Sequence, residues 1–292
     1  MYKAIAANKR KTVFLMLFFV ALIAGLGWIF TQIYGNMNIF WGTFFGSLAY
    51  VVIQYFASAK IALTMNGAKE IQKRDNPRLW NIVENLAISQ GMPMPKVYIV
   101  DDPAPNAFAT GRDPGHAHVA ATTGILDIMT DSELQGIMAH EMSHVKNYDI
   151  RVSLIAFGLT SVIGMIADLF MRMMWFGGDS DNRPSHPAFL IAGIAAAIIS
   201  PLVAALIQAA ISRQREYLAD ASGAEMTRYP EGLASALYKL GQVSTATRRQ
   251  NPSSAHLFFA NPLKGRSIIQ LFSTHPPIDK RVARLQGIDG KM

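Results

Sequence analysis

Four apolar stretches, each long enough to cross a lipid bilayer, dominate this sequence of 292 residues. They cover about residues 13–33, 39–63, 152–174 and 188–211, and a helix that spans the hydrocarbon core needs roughly 20 residues. The chain is 51% hydrophobic and only 16% charged, which is too apolar for an ordinary soluble enzyme. The sequence therefore predicts a mostly helical integral membrane protein with four transmembrane helices.

Two of these stretches allow another interpretation. A signal peptide would explain the first, but the apolar run continues past a typical signal sequence, lacks a clear cleavage site and is followed at once by another span. Gly164 and Asp168 weaken the third stretch, which is alternatively a buried amphiphilic helix. Pro201 is expected to kink the fourth.

The spans divide the chain into two hairpins and two soluble segments. The hairpins take residues 1–64 and 152–211, and the soluble segments take residues 65–151 and 212–292. Basic residues flank the first hairpin on its outer sides and are absent from its connecting link, so the positive-inside rule places the N-terminus and both soluble segments in the cytoplasm. Both segments can then build one domain. The basic residues are Lys3, Lys9, Arg10, Lys11, Lys60, Lys69, Lys73 and Arg74.

The sequence His140-Glu141-Met142-Ser143-His144, called the pentad below, follows the pattern of a zinc peptidase helix. In a helix, His140 and His144 share one face at a spacing suited to one zinc ion, and Glu141 can act as general base toward water at the metal. Thr130 and Glu133 predict a capping box that opens this helix. Since the chain has no cysteine, histidine and carboxylate must hold the metal. The alternative is two ordinary semi-buried histidines on an amphipathic helix.

A catalytic zinc ion keeps three protein ligands, so a third is required. A histidine at the metzincin spacing is excluded, because Asn147 and Ile150 occupy the positions of the glycine and histidine of that pattern. The best candidate is Glu216, on a helical stretch after the fourth span, with Asp220 one turn later to accept the second ring N–H of a ligating histidine. The alternative is a solvated helix whose carboxylates pair with arginine. Because spans adjoin both ligand motifs, the metal is expected at the cytoplasmic membrane surface.

Between the second span and the pentad, the sequence predicts one helix and a small sheet. The helix covers residues 76–90 and a β-rich run covers residues 96–100, while residues 107–110 and 118–122 are expected to pair across a turn. Zinc peptidases commonly bind the substrate main chain at an exposed sheet edge. This hairpin is therefore a candidate peptide-binding site.

Two further histidines, His116 and His118, fall within the same hairpin. They are expected to alternate onto one strand face, where they raise the question of a second metal site. Two solvated histidines are the favoured interpretation.

Four separate motifs share one order with a known family. They are Pro105-Asn106-Ala107-Phe108-Ala109-Thr110-Gly111, His140-Glu141-x-x-His144, Arg215-Glu216-Tyr217-x-Ala219-Asp220 and Ser273-Thr274-His275-Pro276-Pro277-x-x-x-Arg281. With the hairpin of spans at the start and the two spans between the ligands, nearly the whole chain resembles the HtpX membrane peptidases. These are bacterial relatives of the CAAX prenyl protease of eukaryotes.

The resemblance implies a gluzincin, with an α+β zincin-like domain and one zinc ion per chain. His140, His144 and Glu216 would hold the zinc, Glu141 would activate the water, and Asp220 would orient a ligand from behind. Family members look like multi-pass, cytoplasm-facing endopeptidases of the bacterial inner membrane that are linked to heat shock. They cut misfolded or damaged membrane proteins and can cleave themselves.

The resemblance also suggests residues that handle the substrate. His275 is the candidate donor to the tetrahedral oxyanion, and Tyr217 is a weaker alternative. A structural role for His275 in its proline-flanked turn is equally open. Arg281 is expected to brace the carboxylate behind the ligands. The expected substrate-binding residues are Asn106, Ala107 and Phe108, the first of which alternatively only caps the preceding loop.

Expected partners are membrane proteins or unfolded polypeptides as substrates, and the lipid bilayer. A net charge of +7 and a pI near 9.6 fit an anionic leaflet, and nothing in the sequence indicates nucleic-acid recognition or an oligomeric state. One alternative function is a non-catalytic membrane chaperone or scaffold. An intramembrane site-two-type protease is disfavoured, because polar residues follow the pentad directly. They are Lys146, Asn147, Asp149 and Arg151.

Overall fold

The computed structural model describes residues 2–159, 161–162, 213–243, 247–248, 257–259 and 276–289. Its helices are α1 (Tyr2–Tyr34), α2 (Asn38–Met65), α3 (Pro77–Gln90), α4 (Thr123–Ile128), α5 (Asp131–Lys146), α6 (described over residues 149–159), α7 (Arg213–Thr227), α8 (Pro230–Gln242) and α9 (Ile278–Asp289). Its strands are β1 (Ala68–Glu70), β2 (Lys96–Val100), β3 (Ala107–Gly111) and β4 (Ala117–Thr122). The chain is mostly helical with a small sheet, as the sequence predicts.

The first two helices form an apolar hairpin. Residues 5–32 of α1 and the whole of α2 are long and apolar enough to cross a membrane, and no other helix among the described residues is. Large apolar side chains on both helices are exposed, among them Phe14 at 58% and Phe56 at 62%, which suits contact with lipid rather than water. The spans predicted over residues 13–33 and 39–63 therefore fall within observed helices.

The third and fourth predicted spans fall largely outside the described residues. Residues 152–159 and 161–162 are the described part of the third span, and they are helical. The fourth span, with Pro201, lies outside the described residues altogether. Four spans and the division of the chain at residues 152–211 therefore stay predictions.

The four strands form one mixed sheet in the order β1-β2-β4-β3. β2 runs parallel to β4 with Tyr98 opposite Ala120, and β3 runs antiparallel to β4 with Phe108 opposite the same residue. The predicted β-rich run and hairpin are confirmed, whereas β1 has only three residues, too few for a recognisable alternating pattern. In the turn, Gly111 has φ +143°, and a Cβ there would lie 2.4 Å from the carbonyl oxygen of His116, so the position requires glycine.

The helix α5, which carries the pentad, lies at the centre of the soluble core. The Thr130 hydroxyl accepts the N–H of Glu133 at 3.4 Å and the Glu133 carboxylate accepts the N–H of Thr130 at 2.8 Å, which confirms the predicted capping box. Two glycines allow other helices to approach closely. A Cβ at Gly136 would lie 2.7 Å from a backbone nitrogen of α8, and a Cβ at Gly223 of α7 would lie 3.0 Å from a backbone nitrogen of the pentad. The helix that carries Glu216 can therefore reach the pentad.

Glu133 also connects the start of α5 to α8. Its carboxylate accepts hydrogen bonds from Ser235 Oγ at 2.6 Å and from Lys239 Nζ at 2.7 Å. Burial raises the pKa of Glu133, but these bonds and the capping N–H lower it to about 2. Because glutamine keeps the shape but not the charge, we expect Glu133→Gln to lower the free energy of unfolding by about 1–3 kcal/mol at neutral pH.

This loss should depend on pH. The folded-state pKa of Glu133 lies below its ordinary value of 4.5, so the stabilisation is present above that value and disappears as the pH falls toward 2. Circular dichroism of the detergent-solubilised protein, unfolded at several pH values, measures it. The control Glu84→Gln removes an exposed pair with Lys73 and should leave unfolding unchanged. An equal loss in both variants would contradict the role assigned to Glu133.

Candidate metal centre

Three side chains from two helices converge on one point. His140 and His144 lie on one face of α5, and their Nε2 atoms are 3.1 Å apart. Glu216 reaches them from the first turn of α7, with Oε2 3.6 Å from His140 Nε2 and Oε1 3.6 Å from His144 Nε2. Among the described residues, this is the one group of three or more histidine, cysteine, aspartate or glutamate side chains whose ligand atoms all lie within 4.8 Å of one another.

The spacing of these atoms suits a tetrahedral zinc ion. Bonds of about 2.0–2.2 Å from zinc to nitrogen and oxygen place two ligand atoms of a tetrahedral site about 3.3 Å apart. The two Nε2 atoms are 3.1 Å apart, and each lies 3.6 Å from a different carboxylate oxygen of Glu216. Two imidazoles and one carboxylate are also a known ligand set of catalytic zinc. The residues present therefore fit the metal in both chemistry and spacing.

A carboxylate fixes the ring of each histidine. Asp220 Oδ1 lies 2.9 Å from His140 Nδ1, and Asp149 Oδ2 lies 3.0 Å from His144 Nδ1. Each Nδ1 therefore donates its hydrogen to a carboxylate, which leaves a lone pair on each Nε2. Two lone pairs facing each other at 3.1 Å repel unless a proton or a cation lies between them.

The pKa values of the two rings move in opposite directions. Burial lowers the pKa of His140 to about 4, against the raising effect of Asp220. Burial also lowers the pKa of His144, but its hydrogen bond to Asp149 and the charge of Glu216 raise it to about 9. A cation between the two Nε2 atoms would favour the neutral form of both rings, because only a ring without a proton on Nε2 can bind it.

The charges around the ligands favour a divalent cation. The described residues of the centre comprise four carboxylates and two guanidinium groups, with the Lys11 ammonium within electrostatic reach of Asp149, so negative charge exceeds positive by one before any proton on the histidines. Burying such an excess is costly unless a cation compensates it. The carboxylates are Glu141, Asp149, Glu216 and Asp220, and the guanidinium groups are Arg215 and Arg281.

Arg281 contacts both oxygens of Asp220, and its Nη2 also lies 3.4 Å from His140 Nδ1. Its Nε and Nη2 donate to the two carboxylate oxygens at 2.9 and 2.6 Å, and its side chain is 1% exposed. Burial raises the pKa of Asp220, but the hydrogen bonds to His140 and Arg281 lower it to about 2. The fold thus brings together two residues that the sequence analysis expects behind the ligands, one from α7 and one from α9.

A second carboxylate behind the ligands, Asp149, has no counterpart in the sequence-based prediction, which treats it as part of a polar flank. It is 4% exposed. Tyr148 has a left-handed backbone, with φ +60°, and this turn returns Asp149 to His144. Asn8 Nδ2 of α1 and Arg215 Nη1 of α7 donate to it at 2.7 and 2.9 Å. The feature of the sequence that could have identified Asp149 is its position, as an acidic residue between a metal-binding helix and an apolar stretch.

We expect Asp149→Asn to weaken zinc binding and to lower kcat/KM, each by about 10–100-fold, because groups that orient a ligating imidazole have effects of that size. The amide lacks the charge that holds Arg215 and can turn its NH₂ toward the imidazole. Chelator competition measures the affinity and steady-state hydrolysis measures kcat/KM. The control Asp131→Asn changes a side chain that is 82% exposed at the start of α5, the helix that carries His144. Wild-type values in the Asp149 variant would contradict this role.

The expected substrate-binding residues lie at the edge strand β3, but the chain itself covers that edge. Residues 257–259 run antiparallel to the strand and form a β-bridge with it, and the Phe259 N–H donates to a β3 carbonyl at 2.8 Å. An exposed edge is expected from the sequence, and the structure differs because a segment about 150 residues later pairs with the strand. The covered residues, all at most 2% exposed, are Asn106, Ala107 and Phe108.

Phe259 brings this segment to the metal ligands. Its ring meets the ring of His140 edge-on, with 4.9 Å between centroids. The guanidinium carbon of Arg281 lies 4.8 Å from the centroid of the same ring. Residues 257–259 therefore contact both a ligand and its support.

The candidate general base lies close to the ligands, whereas the weaker candidate for the oxyanion donor contacts an arginine. Glu141 lies on α5 at 3% exposure, and its charge raises the pKa of His144, so its carboxylate is within electrostatic reach of the ligands. Tyr217 stacks against the guanidinium of Arg284, whose carbon is 3.7 Å from the ring centroid. His275 lies outside the described residues.

His116 and His118 do not share a strand face, so that expectation is wrong. His116 lies in a 3-10 turn, Pro114–His116, with its Nδ1 2.8 Å from Asp113 Oδ1. His118 lies in β4, where burial lowers its pKa. The turn interrupts the alternation on which the expectation rests.

Comparisons with known proteins agree with this centre. A family model described as peptidase family M48 matches residues 73–289, which include all the ligand candidates. A protease HtpX homolog of Tropheryma whipplei (strain Twist) is 50% identical over 286 residues, which are 98% of each chain. A protease HtpX homolog of Lactobacillus helveticus (strain DPC 4571) is 45% identical over 298 residues, covering 98% of this chain and 99% of its own.

A solved structure shares the fold. The crystal structure of S. mikatae Ste24p superposes with a TM-score of 0.53 at 19% identity, over 98% of this chain and 67% of that one. The family match covers well over half of the chain, and the sequence relatives cover nearly all of it. The chain therefore belongs to peptidase family M48.

Proposed function

We propose that this protein is a zinc-dependent membrane endopeptidase that hydrolyses peptide bonds of misfolded or damaged membrane proteins at the cytoplasmic membrane surface. A chain of hydrogen bonds supports the location of the metal centre at the membrane surface. Asn8 of α1 donates to Asp149 at 2.7 Å, and Asp149 in turn lies 3.0 Å from His144. Asn8 stands near the start of the apolar stretch of α1, which begins at residue 5. Two hydrogen bonds thus connect a membrane-spanning helix to a proposed zinc ligand.

The orientation follows from charge. Basic residues on the outer flanks of the hairpin 1–64 favour a cytoplasmic location for the segments 65–151 and 212–292, with 152–211 as a second membrane hairpin. The centre would then face the cytoplasm from a bacterial inner membrane. Its substrates would include loops that emerge from the bilayer, and stress that damages membrane proteins would increase their supply.

In the proposed mechanism, His140, His144 and Glu216 hold one zinc ion. When bound, zinc supplies Lewis-acid chemistry, which acidifies water and polarises a carbonyl. Glu141 takes the proton from the attacking water and passes it to the leaving amine nitrogen. Asp149 and Asp220 keep the hydrogens of both imidazoles on Nδ1, so that both Nε2 atoms remain available as ligands.

The substrate main chain would extend along β3, where Asn106 stands at the start of the strand and Ala107 and Phe108 follow. Because residues 257–259 pair with this edge, a peptide must either displace them or bind beside them. His275 is the proposed donor to the oxyanion, since the tail motif that contains it leads into α9, which carries Arg281.

A comparison of three substrates in proteoliposomes tests this proposal. They are an unfolded loop tethered by one membrane span, the same loop without its span, and a well-folded soluble protein. We expect the tethered loop to be cleaved fastest, because the membrane brings it to the centre. Chelation should abolish cleavage of all three substrates, and Glu141→Gln should lower its rate by about 10³-fold. Equal rates for the folded soluble protein and the tethered loop would overturn the proposed substrate class.

A further inference from the structure

A cavity of about 190 Å³ lies between the C-terminal end of α2 and the β3–β4 hairpin, outside the metal centre. Its volume would accommodate about six water molecules at roughly 30 Å³ each, so a phosphate group fits. The walls combine aromatic rings with cationic side chains, and none of the described residues that line them is a carboxylate. The lining includes the aromatic residues Tyr55 and Phe56 and the cationic residues Lys60, Lys96 and Arg112.

The cations at this cavity are only partly neutralised. Lys60 forms no ion pair with any residue in the described part of the chain. Lys96 pairs with Glu70 at 3.0 Å in an exposed contact, and Arg112 lies 3.7 Å from Asp113. The Lys96 pair is exposed and therefore weak. The Arg112 pair is partly buried, with side chains 26% and 24% exposed, but its separation is longer than a hydrogen bond, so both cations can still interact with another anion.

A further cation reinforces the positive charge. The guanidinium carbon of Arg151 lies 5.7 Å from the ring centroid of Tyr55, and its Nε donates to the carbonyl oxygen of Arg112. Four cations, Lys60, Lys96, Arg112 and Arg151, thus face two carboxylates, which gives a local excess of two positive charges.

The cavity lies where the apolar surface of α2 ends. Ile53 and Phe56 are 58% and 62% exposed, as expected for side chains that contact acyl chains. Lys60 follows Phe56 by one helical turn on the same face. Arg112 places its guanidinium carbon 5.2 Å from the centroid of the Phe56 ring. Aromatic and basic side chains meet in this way at the headgroup level of a membrane.

We propose that this cavity binds the phosphate of an anionic phospholipid, with the acyl chains along the Phe56 face of α2. The proposal rests on the proposed membrane orientation. Arg112 directly follows β3, so a bound headgroup would hold the strand that begins beside Asn106 at the membrane surface. The lipid would therefore set the depth at which the peptide-binding edge lies.

Native mass spectrometry of the full-length Glu141→Gln protein tests this proposal without requiring hydrolysis. The protein is titrated in neutral detergent micelles that contain either phosphatidylglycerol or phosphatidylcholine. We expect retained phosphatidylglycerol at low mole fraction, and a loss of affinity of roughly 30-fold on Lys60→Gln with Arg112→Gln, since each basic side chain near an anionic surface contributes about five-fold. Lys60→Glu alone, at an exposed position, should also weaken binding and is expected to leave folding intact.

The matched control is Arg74→Gln, which removes one positive charge from a side chain that is 81% exposed and does not line the cavity. It should leave lipid retention unchanged.

Equal losses in the control and the cavity variants, or equal retention of phosphatidylcholine, would overturn the proposal. Displacement of the lipid by millimolar inorganic phosphate would also overturn it, because the site would then select free phosphate rather than a headgroup. Since binding is measured on an inactive variant, failure here leaves the proposed peptidase function untouched.

Discussion

Replacing Glu141 with glutamine is expected to lower kcat/KM for peptide hydrolysis by about 10³-fold, because general acid–base catalysis contributes about 10²–10⁴-fold and the amide cannot take a proton. Glu141 lies beside a ligand in sequence but is not one of the three converging side chains. The variant should therefore keep its zinc and its fold. Hydrolysis of the membrane-tethered loop gives the rate, and metal analysis of the same sample gives the zinc content.

A matched change separates this effect from general damage to α5. Asp131→Asn alters an exposed carboxylate on the same helix and should hydrolyse the loop at the wild-type rate. If Glu141→Gln retains more than about a tenth of the wild-type kcat/KM, the assignment of Glu141 as general base fails. If the variant instead loses its zinc, the residue acts on the metal rather than on the proton.

Replacing Arg281 with methionine should have the largest effect on stability. Its guanidinium is 1% exposed and forms two hydrogen bonds with Asp220, at 2.9 and 2.6 Å. Removing one partner of a buried ion pair costs about 3–5 kcal/mol, because the other charge stays buried. We expect the unfolding temperature of the zinc-free protein to fall by roughly 10 °C. Zinc affinity should fall as well, by about 10–100-fold, because Asp220 orients His140.

The chain offers a control on the same helix. Arg284 lies on α9 and stacks on Tyr217 at the surface, so Arg284→Met removes the same charge without breaking a buried pair. It should shift the unfolding temperature little. Equal shifts in Arg281→Met and Arg284→Met would show that the buried pair adds no stability of its own. Differential scanning fluorimetry with chelator present measures the shifts apart from any effect of zinc.

Local patterns predict much of this structure. The capping box at Thr130 and Glu133 and the pairing of the two hairpin strands are confirmed, and so are the two apolar helices of the first hairpin. Each of these features depends on residues within a few positions of one another. Their signals are propensity, capping and periodicity, which a sequence displays directly.

The support of the centre could not be predicted in the same way. Asp149 contacts Asn8 across 141 positions of sequence, and residues 257–259 cover β3 from about 150 positions away. Such contacts depend on how the helices and strands pack against one another. The close packing at Gly136 and Gly223 leaves no periodic pattern in the sequence of either helix. The expected exposed edge failed for this reason.

The metal content of the purified full-length protein tests the central claim most directly. Inductively coupled plasma mass spectrometry should find one zinc ion per chain in the wild type and in Glu141→Gln. His140→Ala, His144→Ala and Glu216→Ala should each lose most of it, because two remaining ligands no longer complete the site. Full zinc in any one of these three variants, or no stoichiometric metal in the wild type, would contradict the account.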